Sequence, residues 1–145
     1  MACEVISGKI RPPGGVIYEN EYWMVNHSVP CPIILMRGFL IIQPKRHCEH
    51  LAELTIEETL TFAPLLRNTC LALSRVVQPA KVYACSLGES LKHIHYCIIP
   101  RYPEMPADGV EVLLKLMREK VWACSEAEAA ELATKVKQEF YSIQN

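Results

Sequence analysis

The segment from His93 to Ile99 constrains the fold of this 145-residue chain more than any other segment. Its letters, HIHYCII, alternate in the period of a β-strand, in which successive side chains point to opposite faces. We therefore predict a strand with His93, His95 and Cys97 on one face and apolar residues on the other. Imidazoles on an apolar strand are costly to bury alone, so polar groups or a ligand should meet that face.

A long helix is the second strong signal, over residues 55–79. Thr55 and Glu58 have the spacing of a capping box, which satisfies free amide groups in the first helical turn. Pro64 lies inside the pattern and should bend the helix or break it near its first turns, and Pro79 should end it. Apolar residues at helical spacing form one core-facing stripe: Leu66, Cys70, Leu73 and Val77.

The remaining strands are predicted from short runs rich in apolar and β-branched residues. The run at 82–86 is close enough in sequence to pair antiparallel with the strand at 93–99. The other predicted strands lie earlier in the chain, at 16–18, 22–25 and 39–42.

Two C-terminal helices are predicted between residues 108 and 143. Ser125 and Glu128 form a second capping box at the start of the last helix. The order of elements indicates one α+β domain over residues 1–145, with a mainly antiparallel sheet, a long central helix and C-terminal helices. Four apolar residues share one face of the first C-terminal helix: Val110, Leu113, Leu114 and Met117.

Composition excludes several classes of function. The net charge of -1 and the pI near 6.5 argue against general nucleic-acid binding, which needs a basic surface. No apolar run reaches the roughly 18 residues of a membrane span. Seven scattered cysteines, an odd number, favour a reducing cytoplasm over a disulfide framework.

The turn before the histidine strand, Gly88-Glu89-Ser90, has the chemistry of an anion site. Glycine lets the backbone approach a ligand closely, and exposed amides with a hydroxyl can hold an anion. A neutral imidazole is a competent nucleophile toward phosphorus, and an unperturbed histidine is mostly neutral near pH 7.

The segment from Gly88 to Arg101 resembles the signature of the histidine-triad (HIT) family. That signature is His-φ-His-φ-His-φ-φ, with φ apolar, after a Gly-Gln-Ser/Thr-like turn and often before Pro-Arg. The runs FLIIQPKRH at 39–47 and LAELT at 51–55 are similar to the family's strand, turn and start of the long helix. The resemblance covers about residues 16–101, with both blocks in the family's order.

The resemblance implies a histidine-triad fold, usually in a homodimer whose sheets join, and the binding of a purine nucleotide or nucleotide conjugate. The middle histidine, here His95, attacks the α-phosphorus, and water then releases a nucleoside monophosphate. His93 matches a position that holds the nucleophile, and Ser90 matches a donor near the leaving group. Dinucleoside polyphosphates and nucleoside phosphoramidates are the expected substrates, and no cofactor is required.

Five further positions match the family's nucleotide-binding residues. Gly88 and Glu89 stand in the turn before the motif, and Cys97 stands at its third position. Asn26 and His27 end the strand that reaches the ribose in the family, in an alignment that needs an insertion.

Zinc is a separate question, since some family members hold structural zinc through an N-terminal Cys-x-x-Cys. Cys3 is present here, but Ile6 occupies the second cysteine position. His47 and His50 are further candidate donors, yet two histidines and one cysteine do not complete a tetrahedral site. Structural zinc is therefore not expected.

Two departures from the signature leave the activity open. Cys97 replaces the third histidine, and losing one preorganised donor can cost about 10²–10³ in rate. Glu89 replaces a glutamine and adds a carboxylate near the anion. The first hypothesis is a hydrolase or nucleotidyl transferase. The alternatives are a catalytically weakened nucleotide-binding module and a dimeric interaction protein without turnover.

Overall fold

Five antiparallel strands form the central sheet of the computed structural model, which describes residues 2–30, 35–87, 91–119 and 121–144. The order across the sheet is β1-β2-β3-β5-β4, and each neighbouring pair is antiparallel. The predicted α+β class and the antiparallel pairing of the last two strands are confirmed. The strands are β1 (Val16–Glu19), β2 (Trp23–His27), β3 (Leu40–Pro44), β4 (Lys81–Cys85) and β5 (Tyr96–Arg101).

The helices surround this sheet. None of the described helices is both long and apolar enough to cross a membrane. A 3₁₀ turn over Leu51–Glu53 precedes the long helix, and a π-helical turn over Lys115–Glu119 follows the short helix Gly109–Leu114. The helices are α1 (Ala2–Ile6), α2 (Ile56–Val77), α3 (Gly109–Leu114) and α4 (Glu126–Gln144).

Helix α2 begins with the predicted capping box. Thr55 Oγ1 accepts from the Glu58 amide at 3.2 Å, and the Thr55 amide donates to Glu58 Oε2 at 2.8 Å. The helix runs through Pro64 without a break, so the expectation of a break is wrong. Pro64 and Leu60, four residues earlier, lie on the exposed side, where water can bond the Leu60 carbonyl that proline leaves without a donor.

Glu58 is also the buried end of an ion pair. Its carboxylate is 2% exposed and accepts from Arg46 Nε at 2.7 Å and from an Arg46 terminal nitrogen at 2.8 Å. The hydrogen bond from Arg46 lowers the pKa of Glu58 below its usual value, against the opposing effect of burial. The arrangement fixes the turn after β3 against the start of α2.

We expect the Glu58–Arg46 pair to make stability depend on pH. A carboxyl whose pKa is lowered in the folded state stabilises it above the unfolded pKa, about 4.3 for glutamate, and loses that effect as pH falls through the folded value. Glu58→Gln should cost about 1.5–3 kcal/mol at pH 7, because a charged hydrogen bond to a buried group is lost. Urea unfolding at pH 7 and below pH 4 checks this. An undiminished difference at low pH would contradict it.

The main hydrophobic cluster lies between one face of the sheet and helices α2 and α4. It includes Trp23 and Ile98 from the sheet, Leu73 from α2 and Phe140 from α4, all fully buried. The predicted stripe on α2 packs into or against this cluster. The core therefore closes the sheet face on which Tyr96 and Ile98 lie.

A second cluster covers the opposite face. Cys97 and Ile99 belong to it, and alternation along β5 places them opposite Ile98. Val112 and Leu116, from α3 and the π-helical turn, seal this cluster. The other buried members are Met36, Phe39 and Met105.

The α3 segment buries a different face from the one its apolar residues indicate. Val110, Leu114 and Met117 are 67%, 44% and 51% exposed, whereas Val112 and Leu116 are buried. The spacing of four between Val112 and Leu116 turns both toward the sheet. Of the predicted face, Leu113 alone packs partly against the second cluster.

The histidine strand also begins later than predicted. Ladder pairs Ile41–Cys97 and Ile42–Tyr96 set the register, and its continuation would bring Pro44 opposite Ile94. Proline has no N–H to donate, so the ladder ends there. The Ile94 amide instead donates to the Cys48 carbonyl at 2.8 Å. His93 and His95 therefore lie just before β5, at the end of the sheet.

Candidate active site

A backbone hydrogen bond orients the imidazole ring of His95. Its Nδ1 lies 2.9 Å from the His93 carbonyl oxygen, and a carbonyl only accepts, so Nδ1 carries the proton. The other nitrogen, Nε2, is left with a lone pair. The side chain is 8% exposed and lines a cavity. The arrangement gives a preorientated nucleophile.

The cavity beside His95 has a volume of about 480 Å³, within the usual size of a small-molecule site. The predicted residues Gly88, Glu89 and Ser90 lie outside the described residues, but Leu87 and Leu91 on either side of them both line the cavity. The described lining mixes polar and apolar groups: Glu49, His50, Leu51, Ser86, Leu87, Leu91, Lys92, His93, Ile94 and His95.

His93 joins three parts of the chain. Its Nε2 donates to the Pro44 carbonyl at 3.0 Å, which leaves the Nδ1 lone pair facing Cys3 Sγ at 3.3 Å. Burial lowers the pKa of His93, and the neighbouring imidazoles of His47 and His95 lower it further, against the opposing bond to Pro44. A neutral, fixed His93 in turn fixes the carbonyl that holds His95.

Cys3, His47 and His93 form a group of potential metal ligands. Cys3 Sγ lies 3.4 Å from His47 Nδ1 and 3.3 Å from His93 Nδ1, and the three ligand atoms are all within 4.8 Å of one another. Thiolate and imidazole are ligands that zinc prefers, but a closed structural site has four. A metal held here would keep one position for solvent, and it would fix the ring of His93.

The sequence named Cys3, His47 and His50 as possible donors, and the structure replaces His50 with His93. His50 instead lines the cavity. Helix α1, which was not predicted, carries Cys3 to the end of the sheet. No periodicity within the five residues of α1 could have indicated that contact.

Although the sequence predicts no closed structural zinc site, we expect Zn²⁺ to bind these three ligands with one position left to solvent, and to raise the melting temperature. A ligand that binds the folded state alone stabilises it by about 2.7 kcal/mol at a hundredfold excess over its dissociation constant. Cys3→Ser removes the thiol from the group and should abolish the shift. His50→Ala is the matched control, because His50 is outside the group and should keep the shift. An equal shift in native protein and Cys3→Ser would place the ion elsewhere.

Cys97 is not among the residues that line the described cavity. It is 5% exposed within the second hydrophobic cluster and lies opposite Cys85 in the ladder of β4 and β5. A hydrogen bond to Cys85, together with burial, raises the pKa of Cys97. Cys97 therefore lies beneath α3 and away from the described cavity, and its contact with the nucleotide stays a prediction.

Asn26 and His27 are likewise occupied inside the protein. His27 is fully buried, its Nδ1 lies 3.1 Å from the Ser28 carbonyl, and its Nε2 accepts from the Gly38 amide at 3.1 Å. Burial lowers its pKa, against the opposing Ser28 bond. Both ring nitrogens of His27 therefore already have a backbone partner. Neither nitrogen is free for the predicted hydrogen bond to a ribose.

Asn26 belongs to a buried amide pair. Its Nδ2 donates to the His27 carbonyl at 2.7 Å, and its Oδ1 accepts from Gln43 Nε2 at 3.2 Å. Asn26 and Gln43 are each 2% exposed. Sequence reasoning missed Gln43, although a glutamine within an apolar strand already indicates a buried polar partner. The pair fixes β2 to β3, and it does not line the described cavity.

Comparison with known proteins relates this geometry to other chains. An uncharacterized HIT-like protein of Methanocaldococcus jannaschii is 26% identical over 104 residues, which are 69% of this chain and 77% of that protein. No family model matches the chain.

Two solved structures extend the comparison to the fold. A hypothetical histidine triad nucleotide-binding protein from Sulfolobus tokodaii superposes with a TM-score of 0.74 at 16% identity, over 98% of this chain and 92% of the other. The diadenosine triphosphate hydrolase of Plasmodium falciparum, in complex with cyclomarin A, gives a TM-score of 0.61 at 17% identity, over 88% and 76%. The chain shares their fold.

Proposed function

We propose that the chain is a histidine-triad protein that binds a purine nucleotide and cleaves it at the α-phosphate through His95, because it resembles HIT-like chains in sequence and in fold. The observation that carries the proposal is the 2.9 Å bond from His95 Nδ1 to the His93 carbonyl. That bond leaves the lone pair of Nε2 on a side chain that lines the cavity. The substrate class is a dinucleoside polyphosphate or a nucleoside phosphoramidate.

The proposed reaction has two displacements. His95 Nε2 attacks the α-phosphorus, an N–P bond forms, and the bond from phosphorus to the leaving group breaks. Water then attacks the same phosphorus, the N–P bond breaks, and a nucleoside monophosphate leaves. The imidazole becomes positively charged when the N–P bond forms, and the His93 carbonyl that accepts from Nδ1–H stabilises that charge.

The charges around the described cavity suit a phosphate of the substrate. Lys92 contributes an ammonium group and His50 an imidazole, whereas Glu49 is the acidic residue of the described lining. Phosphate oxygens accept from ammonium and imidazole N–H groups, so we assign the phosphate chain to this side. The bond from His93 Nε2 to Pro44 and a metal on Cys3, His47 and His93 would both orient the ring of His93.

A catalytically weakened nucleotide-binding module is the second candidate, and one observation favours it. Cys97, at the third motif position, lies within the second hydrophobic cluster and offers no donor to the described cavity. A missing transition-state donor can lower the rate by about 10²–10³, while the binding of the nucleotide persists.

Intact-protein mass spectrometry after brief mixing with a diadenosine polyphosphate or adenosine phosphoramidate tests the proposal. An adenylyl adduct, or release of AMP, in native protein but not in His95→Ala supports nucleotidyl transfer. A melting-temperature shift with AMP but neither adduct nor turnover supports the binding module. No adduct, no turnover and no shift would overturn both candidates.

We also propose a cytoplasmic homodimer, because the family resemblance implies dimers and the cysteine usage favours a reducing compartment. Light scattering during size-exclusion chromatography measures the mass, to be compared with 16.4 kDa for one chain. A mass of one chain across the working concentrations would overturn the dimer.

A further inference from the structure

Cys85 and Cys97 face each other across two adjacent strands. They are direct partners in the antiparallel ladder of β4 and β5, so their side chains lie on the same face of the sheet. Both contact the second hydrophobic cluster. Direct partners in antiparallel strands have Cα atoms about 4.5–5.5 Å apart, inside the range of about 4.4–6.8 Å that a disulfide spans. The usual Cα separation of such partners is therefore compatible with a disulfide between them.

The two thiols differ in their surroundings. Cys97 is 5% exposed, whereas Cys85 is half-buried. The hydrogen bond from Cys97 lowers the pKa of Cys85 to about 7, against the opposing effect of burial. The same bond and deeper burial raise the pKa of Cys97. Cys85, the more exposed of the two, is therefore the thiol that a reagent reaches first, and Cys97 lies behind it.

The other described cysteines lack this combination. Burial raises the pKa of Cys48, Cys70 and Cys124, which makes these thiols poor nucleophiles. Cys3 is exposed beside His47 and His93, where it meets imidazole nitrogens. Within the described ladder pairs, Cys85 and Cys97 alone bring two cysteines opposite each other.

We propose that Cys85 and Cys97 are a redox-active dithiol that a small disulfide, such as glutathione disulfide, oxidises to an intramolecular disulfide. The Cys85 thiolate attacks one sulfur of the reagent, which forms a mixed disulfide and releases one thiolate. Cys97 then attacks the Cys85 sulfur and expels the second thiolate, which leaves as a thiol with the proton of Cys97. The Cys85 proton was given up to water beforehand, and the first released thiolate takes a proton from water. Overall the dithiol loses two electrons and two protons, and the reagent is reduced to two thiols.

The site is separate from the proposed nucleotide site. Neither cysteine lines the described cavity, and the readouts below involve no nucleotide, so their failure leaves the proposed function untouched. The disulfide would join the two ends of the segment from 86 to 96, which carries several cavity residues.

Peptide mapping tests the proposal directly on the native chain. Trypsin cleaves after Lys81, Lys92 and Arg101, so it yields peptides 82–92 and 93–101 with one cysteine each, Cys85 and Cys97. Folded protein is treated with glutathione disulfide, remaining thiols are alkylated under denaturing conditions, and the digest is analysed without reduction. We expect the two peptides as one linked species, about 2 Da lighter than their sum, that dithiothreitol separates.

Two variants sharpen the test. Cys85→Ser should leave peptide 93–101 alkylated and unlinked, whereas Cys70→Ser, a half-buried cysteine on α2, should still give the linked species. Recovery of peptides 82–92 and 93–101 unlinked from the folded native chain would overturn the proposal, and so would linkage of either peptide to another cysteine. The native-chain result decides the question even where a variant does not fold.

Discussion

His95→Ala should lower kcat/KM for nucleotide cleavage by about 10⁴-fold or more while the protein still folds and binds AMP. The loss is this large because the side chain that forms the covalent bond is removed, and no second imidazole is held with a free Nε2 by the His93 carbonyl. The rate is measured as the AMP released at fixed times after mixing, and binding is measured as the rise in melting temperature that AMP causes.

A chemical rescue separates the nucleophile from a structural role. His95→Gly leaves space for free imidazole beside the cavity, and added imidazole should restore part of the turnover with nucleotidyl-imidazole as the first product. A merely structural histidine would not return activity in this way. Turnover in His95→Ala within tenfold of the native rate would contradict the assignment of His95 as the nucleophile.

Cys97→His, which completes the sequence signature, should destabilise the protein rather than restore activity. Cys97 is 5% exposed among apolar side chains that include Phe39, Ile99 and Val112. A larger side chain in a packed core costs about 1–3 kcal/mol, and an unpartnered buried polar group costs a further 1–3 kcal/mol. We expect a total loss of about 2–6 kcal/mol in the free energy of unfolding, measured by urea denaturation.

Cys97→Val is the matched control, because it keeps an apolar side chain of similar size at the same position. It should cost less than about 1.5 kcal/mol. A Cys97→His protein that is as stable as the native chain and turns over faster would contradict the prediction. That result would mean that the imidazole reaches the cavity and that the covering by α3 is not retained.

Much of the fold could be predicted because its signals are local. The Thr55–Glu58 capping box depends on residues three apart, and it forms as expected. Alternation along 96–99 correctly separated Tyr96 and Ile98 from Cys97 and Ile99. Pro64 was expected to bend or break the helix, and the helix is unbroken, because the affected carbonyl faces water.

The candidate site could be predicted only in part. His93 and His95 were found because their spacing and neighbours indicate both the chemistry and the strand. The sequence did not show that His27 and Cys97 are buried, because a motif gives the face on which a side chain lies but not what covers that face. His27 is fully buried and accepts a hydrogen bond from the Gly38 amide. Cys97 is buried in the second hydrophobic cluster, to which Val112 of α3 also belongs.

The sequence by itself determined the α+β order and the capped central helix, since each depends on residues close together in the chain. The tertiary structure alone decided that Cys3 meets His93 across 90 positions, and that Cys97 meets Cys85 beneath α3. Such contacts depend on where distant segments return to the sheet. The positions of these segments are set by the burial of whole sheet and helix faces. A short sequence motif does not contain that information.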